Sequence, residues 1–303
     1  MTRGLRLALR IVTRRGWILL LVLGVVWGLP YLFIKIAVET FSPQGVVFLR
    51  CVIAAAILLP IVLGTGQLKQ LRGRWTWVIA FGFVEITLTW LALNWAEQRI
   101  SSSFAALLIA TVPLVTAILA WRVGIDDRLS GRRLVGLGIG FLGVVALVGL
   151  DISGGSLWAV VAMIITVVGY SFGPIIVDRK LSDLPSLAII ACAMTLNAVI
   201  YAPWAWLSWP TEPIPTSAWV SVIVLGSICS ALAFIIFFAL IAEVGPSRTT
   251  LITYINPVVA VGLGVVVLSE PLTIGLAVGL PLVLLGSWMA TRKGPAMESE
   301  PHA

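Results

Sequence analysis

Ionisable residues inside apolar stretches are the first sign of chemistry, because placing a charge at membrane depth costs about 2.5 kcal/mol or more. Three such residues stand out: Glu85, Arg50 and Lys35. Glu85 lies near the middle of its apolar run and is the one carboxylate read as deep in any run. A carboxyl group there could take up and release a proton, counter a substrate amine, or serve as a structural partner for Arg50. Arg50 could grip a substrate carboxylate with two parallel hydrogen bonds, or pair within the bundle. Lys35 has Glu39 four residues on and could snorkel, pair with it, or act in gating.

Softer signals come from polar and aromatic residues at helical spacing. Trp27, Tyr31 and Lys35 share one face, Glu85 and Thr89 another, Thr166 and Tyr170 a third, and Thr249, Thr253 and Asn256 a fourth. In hydrocarbon such faces must turn towards protein or a wet cavity. Together they describe a modestly polar central chamber, although hydrogen bonding between helices explains each stripe equally well. Pro113 and Pro257 fall inside apolar runs at matching places in the two halves. Proline removes a backbone donor and frees a carbonyl, which suits a hinge or a binding site.

The elements that carry these residues follow from composition. Of 303 residues, 60% are apolar and 11% charged, with mean hydropathy +1.08. A soluble domain carries about 25% charged residues, so there is too little charge to coat a water-facing surface. The spacing predicts ten transmembrane helices, at roughly 17–38, 43–63, 75–95, 101–121, 133–150, 157–178, 185–207, 217–241, 246–268 and 271–290, each near the length that a bilayer requires. Arg3, Arg6, Arg10, Arg14 and Arg15 precede the first run like the start of a signal peptide, but the run is too long and lacks a cleavage site. Trp17, Trp75, Trp77, Trp121, Trp158, Trp209, Trp219 and Trp288 fall near helix ends, where amphipathic rings favour the interface.

The net charge of +7 is not a nucleic-acid footprint, since its residues alternate with apolar runs. With the N-terminus in the cytoplasm, Lys69, Arg72, Arg74, Arg122, Arg128, Arg132, Arg133, Arg179, Lys180, Arg248, Arg292 and Lys293 all fall inside, and the outer loops keep only Arg99. Both termini are then cytoplasmic. The expected domains are residues 1–150, 151–291 and a disordered polar tail at 292–303.

The halves repeat. Leu129, Val135-Gly136 and Leu142-Gly143 are echoed by Leu272, Val278-Gly279 and Leu285-Gly286, with Asp127 matching Glu270 and Val25-Val26 set against Val167-Val168. Five helices per copy force the second copy to insert upside down, the plan many carriers use to build two gates round one site. The glycines Gly136, Gly140 and Gly143 read as close helix packing.

These segments, the run from Pro113 to Trp121, Asp127-Arg128-Leu129, Asn256-Pro257 and Ser269-Glu270-Pro271-Leu272, with Trp27-Gly28, Lys35 and Arg50, resemble the EamA family of the drug/metabolite transporter superfamily. Asp126-Asp127 stands where many members have Gly-Glu. The resemblance implies a ten-helix inverted-repeat exporter of amino acids, other metabolites or drugs in the plasma (inner) membrane.

No phosphate-binding Gly-x-x-x-x-Gly-Lys-[Ser/Thr] loop is present. No histidine lies in a run, so zinc and Ser/His chemistry have no footing, and a paired-acid protease needs a second deep acid. Cys51, Cys192 and Cys229 read as small buried hydrophobes, and His302 lies in the tail. The expectation is a secondary transporter of a small-molecule solute, with protons as a possible coupling ion, lipid as its surroundings, and no cofactor, metal or enzymatic activity. A lipid flippase or a non-transporting scaffold is the alternative.

Overall fold

The computed structural model describes residues 13–122, 124, 131–151 and 157–291. The first arginines, the Asp126-Asp127 segment with Arg128 and Leu129, the 152–156 connection and the 292–303 tail with Arg292, Lys293 and His302 lie outside the described residues.

Among the described residues the structure is all-helical, and nine helices are long and apolar enough to cross a membrane. In chain order they are α1 (Arg14–Ala37), α2 (Pro43–Gly64), α3 (Trp75–Glu97), α4 (Ser102–Arg122), α5 (Gly131–Leu150), α6 (Leu157–Leu181), α7 (Ser186–Leu207), α8 (Thr216–Val244) and α10 (Ile274–Thr291). The apolar run expected as a single helix over 246–268 is broken by a turn at Thr250 and Leu251, leaving a short Pro246–Thr249 piece and α9 (Ile252–Val267). At 16 residues, α9 falls short of the nine, so ten full-length spans is finer than the described helices show.

Starts are set by side chains that take up the free N–H groups of a first turn. Thr13 accepts from Gly16 N at 3.0 Å, Ser42 from Gly45 N at 3.1 Å and Ser101 from Phe104 N at 3.1 Å. The apolar exterior follows from lipid as solvent: Phe141, Leu150, Trp158, Trp206 and Val266 face outwards, while Arg50, Thr89, Asn94, Glu97 and Asn197 are buried. This inversion of the soluble pattern is how a chain with so little charge avoids exposing its polar groups to hydrocarbon.

Contacts between helices map onto themselves when the halves are exchanged. α2 lies along α7 and α5 along α10, while α3 packs on α6 as α8 packs on α1. Glycine sets the closest approach. A Cβ at Gly286 would run into the backbone of Gly136 and Gly140, and one at Gly143 into Leu282 and Val283. The repeated Val-Gly and Leu-Gly pairs thus weld α5 to α10, a small-residue seam that brings two backbones together where hydrophobic drive is absent.

Among the described residues three helices carry a π-helical turn, Val177–Leu181 ending α6 and two longer ones of six residues, Phe83–Leu88 in α3 and Ser227–Leu232 in α8. The two six-residue turns stand 144 positions apart, each preceded by a glycine, Gly82 or Gly226. Gly82 abuts Ala193 of α7, and Gly226 abuts Ile53 of α2. A π turn inserts one residue, rotating every following side chain and loosening the local ladder, and such turns are frequent at functional sites.

Candidate functional site

Arg50 is the centre of the site. It lies on α2, is 5% exposed, and its Nε donates to Ser230 Oγ at 2.7 Å. Ser230 belongs to the π turn of α8 and donates in turn to Leu225 O, five residues back, at 2.8 Å. The guanidinium carbon lies over the Trp90 ring of α3, 3.6 Å from its centroid. Planarity and weak hydration suit arginine to such stacking where lysine would not serve. Among the described residues no carboxylate forms an ion pair with it. Tyr31 of α1, which is buried, and Tyr170 of α6, which is half-buried, stand within its electrostatic reach. Arg50, Trp90 and Tyr31 come from the first half and Ser230 and Tyr170 from the second, so the halves meet on an unneutralised cation.

Glu85 occupies the π turn of α3, and the structure does not bring it to Arg50. Its Oε2 is shut from solvent without a donor, pressed against Gly173 of α6, where any Cβ would overlap the carboxyl group. Thr89, one turn on, donates to Val84 O at 2.6 Å, and its carbonyl accepts from Thr166 at 3.3 Å. Gly169 allows that approach. The Thr89 and Thr166 stripes therefore join α3 to α6 at the place where Glu85 sits.

The remaining sequence-derived residues divide between packing and hinge positions. Trp27 lies against Phe237 and Phe234 of α8, with centroids 4.9 and 5.9 Å away. It marks a break in α1 at Trp27-Gly28, where Gly28 lets Val259 and Asn256 O of α9 come close. Asn256, in the amide orientation that suits its neighbours, donates to Gly24 O at 2.8 Å and Ile252 O at 2.9 Å, clamping α9 to α1. Thr253 donates to Thr250 O at 2.7 Å and Thr249 to Gly245 O at 2.9 Å, both at the break before α9. Pro113 follows a similar break at Ala110-Thr111 in α4, in the first turn of the resumed helix, and needs no N–H partner there. Pro257 lies inside α9.

At one end of the bundle the structure assembles a polar cluster. Lys35 does not pair with Glu39 as its spacing suggested; its Nζ donates to Glu97 O at 2.7 Å and Ile100 O at 2.8 Å. These carbonyls end α3, where cations are favoured. Next to them Glu270, from the α9–α10 connection, accepts from Ser102 N at 2.7 Å, Ser103 N at 3.0 Å and Ser103 Oγ at 2.6 Å. It caps α4 from the other half of the molecule. Ser269, just before it, has a left-handed backbone with φ of 56°, and Gly264 is bare where Ser102, Ser103 and Glu270 crowd in. Glu97 is wholly enclosed. Its place at the end of α3, beyond the predicted limit at residue 95, hid it from the sequence reading. Ser230 and Trp90 escaped too; the one available signal was the glycine that precedes each six-residue π turn.

A separate groove of about 530 Å³ lies between α2 and α7, lined by Val52, Ala56, Leu59, Leu63, Val199 and Pro203 among others. It is apolar apart from Thr195 and holds none of the residues above.

The comparisons with known proteins agree with this architecture. The profile of the EamA-like transporter family matches residues 14–149 and again 157–292. An uncharacterized transporter of Archaeoglobus fulgidus is 26% identical over 284 residues, covering 92% of this chain and 99% of its own. The uncharacterized inner membrane transporter YedA of Escherichia coli K12 is 28% identical over 291 residues, covering 90% and 92%. A probable terminal-alkyne amino-acid exporter of Streptantibioticus cattleyicolor is 25% identical over 280 residues, covering 89% and 92%. One solved crystal structure superposes with a TM-score of 0.66 at 21% identity over 91% of this chain and 96% of that one, a likeness of fold alone. With two copies of its repeat spanning nearly the whole sequence, the chain belongs to the EamA-like transporter family and is a multi-pass membrane transporter.

Proposed function

We propose that this transporter is a secondary carrier that exports a small metabolite, amino acid or drug-like solute by alternating access. Two oppositely inserted five-helix units rock about a shared chamber, with both termini in the cytoplasm. A proton or solute gradient drives it, since the sequence carries no nucleotide-binding loop. The observation that carries the reading is Arg50: an enclosed cation that both halves help to hold and that, among the described residues, no acid pairs with. Such a charge is costly to maintain and suits a site whose partner arrives with the cargo, as a carboxylate or another anionic group. The relative named as an amino-acid exporter fits a solute of that kind. Tyr31 and Tyr170 flank the cation, the breaks at Trp27-Gly28 and Ala110-Thr111 and the Pro257 helix supply hinges, and Glu85 stands one helix turn or more from the Arg50 stack as a candidate for coupling.

The test is counterflow in liposomes. Protein reconstituted with a panel of radiolabelled amino acids and carboxylates should exchange at least one of them, and Arg50→Met should stop that exchange. Absence of exchange across the panel, together with movement of a fluorescent phospholipid between leaflets, would favour the flippase reading instead. The α2–α7 groove offers such a lipid only apolar walls, which counts against it. Orientation is tested with single cysteines in place of Lys69 and Arg292, which should react from the same side of the bilayer.

A further inference from the structure

A row of buried acceptors climbs one face of α3 from the Arg50 stack to the Glu270 cap. Trp90, Asn94 and Glu97 are spaced four and three residues apart and so share that face. Asn94 donates to Trp90 O at 2.6 Å, but its Oδ1 has no donor. Among the described residues neither carboxyl oxygen of Glu97 has one either, and Ser102 Oγ has no partner. Asn94 and Glu97 are both 0% exposed, which leaves no room beside them for a water molecule, let alone a solute.

The charged and titratable groups around Glu97 come from each helix packed on this part of α3. α1 brings Lys35 and Tyr31, α2 brings Arg50, α6 brings Tyr170, and the α9–α10 connection brings Glu270. α4 contributes Ser102 and Ser103, both uncharged. Arg99 and Glu39 lie exposed at the rim. Lys35 spends its hydrogen bonds on the carbonyls of Glu97 and Ile100, and Arg50 is held by Ser230 and Trp90. Two carboxyl groups therefore lie close together, Glu97 enclosed and Glu270 half-buried. Glu270 is met by three donors, as a negative charge requires; Glu97 is met by none. A buried carboxylate without a donor is among the costliest groups a protein can hold, whereas a neutral carboxyl brings its own donor to a row of acceptors. The atom this row lacks is hydrogen.

We propose that Glu97 is a proton-binding site, occupied while the Glu270 cap is closed and emptied when it opens. Parting α4 from the α9–α10 connection lets water reach Glu97, whose O–H bond breaks to leave a carboxylate and one hydrated proton. Reclosure reverses the step. The inference rests on the carrier reading, because it assumes that this end of the bundle opens.

Full-length protein in lipid, with Cys51, Cys192 and Cys229 replaced by alanine and spin labels on cysteines at Arg99 and Leu272, provides two readouts. Infrared difference spectroscopy follows the protonated-carboxyl C=O band, and pulsed electron resonance follows the label separation. As pH rises the band should fade in step with widening of the separation. Glu97→Gln should remove the band and make the separation independent of pH, while Glu212→Gln, at an exposed position between α7 and α8, should leave both responses. A band that survives in Glu97→Gln, a separation indifferent to pH, or one that answers to sodium and not to pH overturns the proposal. Should Glu97→Gln fail to fold, the unsubstituted protein decides alone, for band and separation must titrate together. Counterflow run in parallel without a pH difference keeps the readings apart: its loss removes the carrier, and its persistence beside absent pH responses removes only the proton site.

Discussion

Glu270→Gln tests whether the cap from one half onto the other half holds that end of the bundle shut. The native carboxylate takes three donors, at 2.7, 3.0 and 2.6 Å, and satisfies the two N–H groups of the first turn of α4 that Ser101 leaves free. Hydrogen bonds to an ionised acceptor contribute about 1.5–3 kcal/mol each, and a negative charge at a helix N-terminus adds about 0.3–1 kcal/mol. The three bonds share one carboxylate and are not additive. A glutamine keeps one acceptor oxygen but turns an NH2 group towards a donor, so the net loss is about 2–4 kcal/mol. At about 1.4 kcal/mol per factor of ten, the open fraction should rise by about 30-fold or more. Ser102→Cys supplies the probe, since Ser102 is 0% exposed and meets Glu270 through its backbone, which the substitution keeps. With the native cysteines replaced, maleimide labelling of this cysteine in proteoliposomes should accelerate by that factor when Glu270→Gln is added, with Glu270→Asp in between. A rate within about twofold of the parent, in protein of unchanged helicity, would refute the idea that Glu270 latches α4 to the second half.

Arg50→Met should abolish counterflow yet melt no lower than the parent, because an unneutralised buried cation is a cost to folding; a clearly lower Tm would make Arg50 a structural residue. Gly286→Ala should lower the Tm in detergent, since its Cβ meets the unyielding backbone of α5 and overpacking costs about 1–3 kcal/mol. Gly138→Ala, with open space around it, should be neutral or stabilising by up to about 1 kcal/mol through helix propensity, and equal melts for the two would remove the seam argument. Tyr201→Phe deletes a 2.6 Å bond to Thr87 O within the π turn of α3, a loss of about 1–2 kcal/mol readable in the same melts.

Much of the fold was legible because lipid imposes a simple rule: long apolar runs separated by charge, Gly and Pro. That rule places the helices within a few residues, and the spaced glycine pairs mark the α5–α10 seam. It fails at α9, where the turn at Thr250 and Leu251 divides a stretch read as one helix; threonines there also fit a helix interior, and the break lies in backbone geometry. The site was legible only in part. Arg50 and Lys35 stand out by their charge, but their partners do not. Lys35 binds backbone carbonyls, which every residue carries, and Arg50 binds Ser230 and Trp90, from segments far off in sequence. Glu97 was missed for a different reason. Near a helix end a carboxylate normally reaches water, and its enclosure comes from α1, α4 and the α9–α10 connection closing over it.

The two halves also separate what builds the transporter from what gives it chemistry. At the 144-residue offset that relates the six-residue π turns, Gly82 corresponds to Gly226, so the scaffold that bends α3 and α8 is duplicated. The reactive side chains are not. Arg50 corresponds to Met194, Glu85 to Cys229 and Ser230 to Ile86; down the same face Trp90, Asn94 and Glu97 become Phe234, Phe238 and Ile241. Phe234 packs on Trp27 and stacks with Phe238, centroids 6.2 Å apart. The face of α8 that matches the acceptor row is thus sealed with aromatic rings. Repeated glycines and helix breaks can make both ends of a carrier movable, but Arg50 and Glu97 have no charged counterpart at the matching positions of the other half. The two are linked directly by charge and by α3, the helix that carries Trp90 against Arg50 at one level and Glu97 beside Lys35 two turns away.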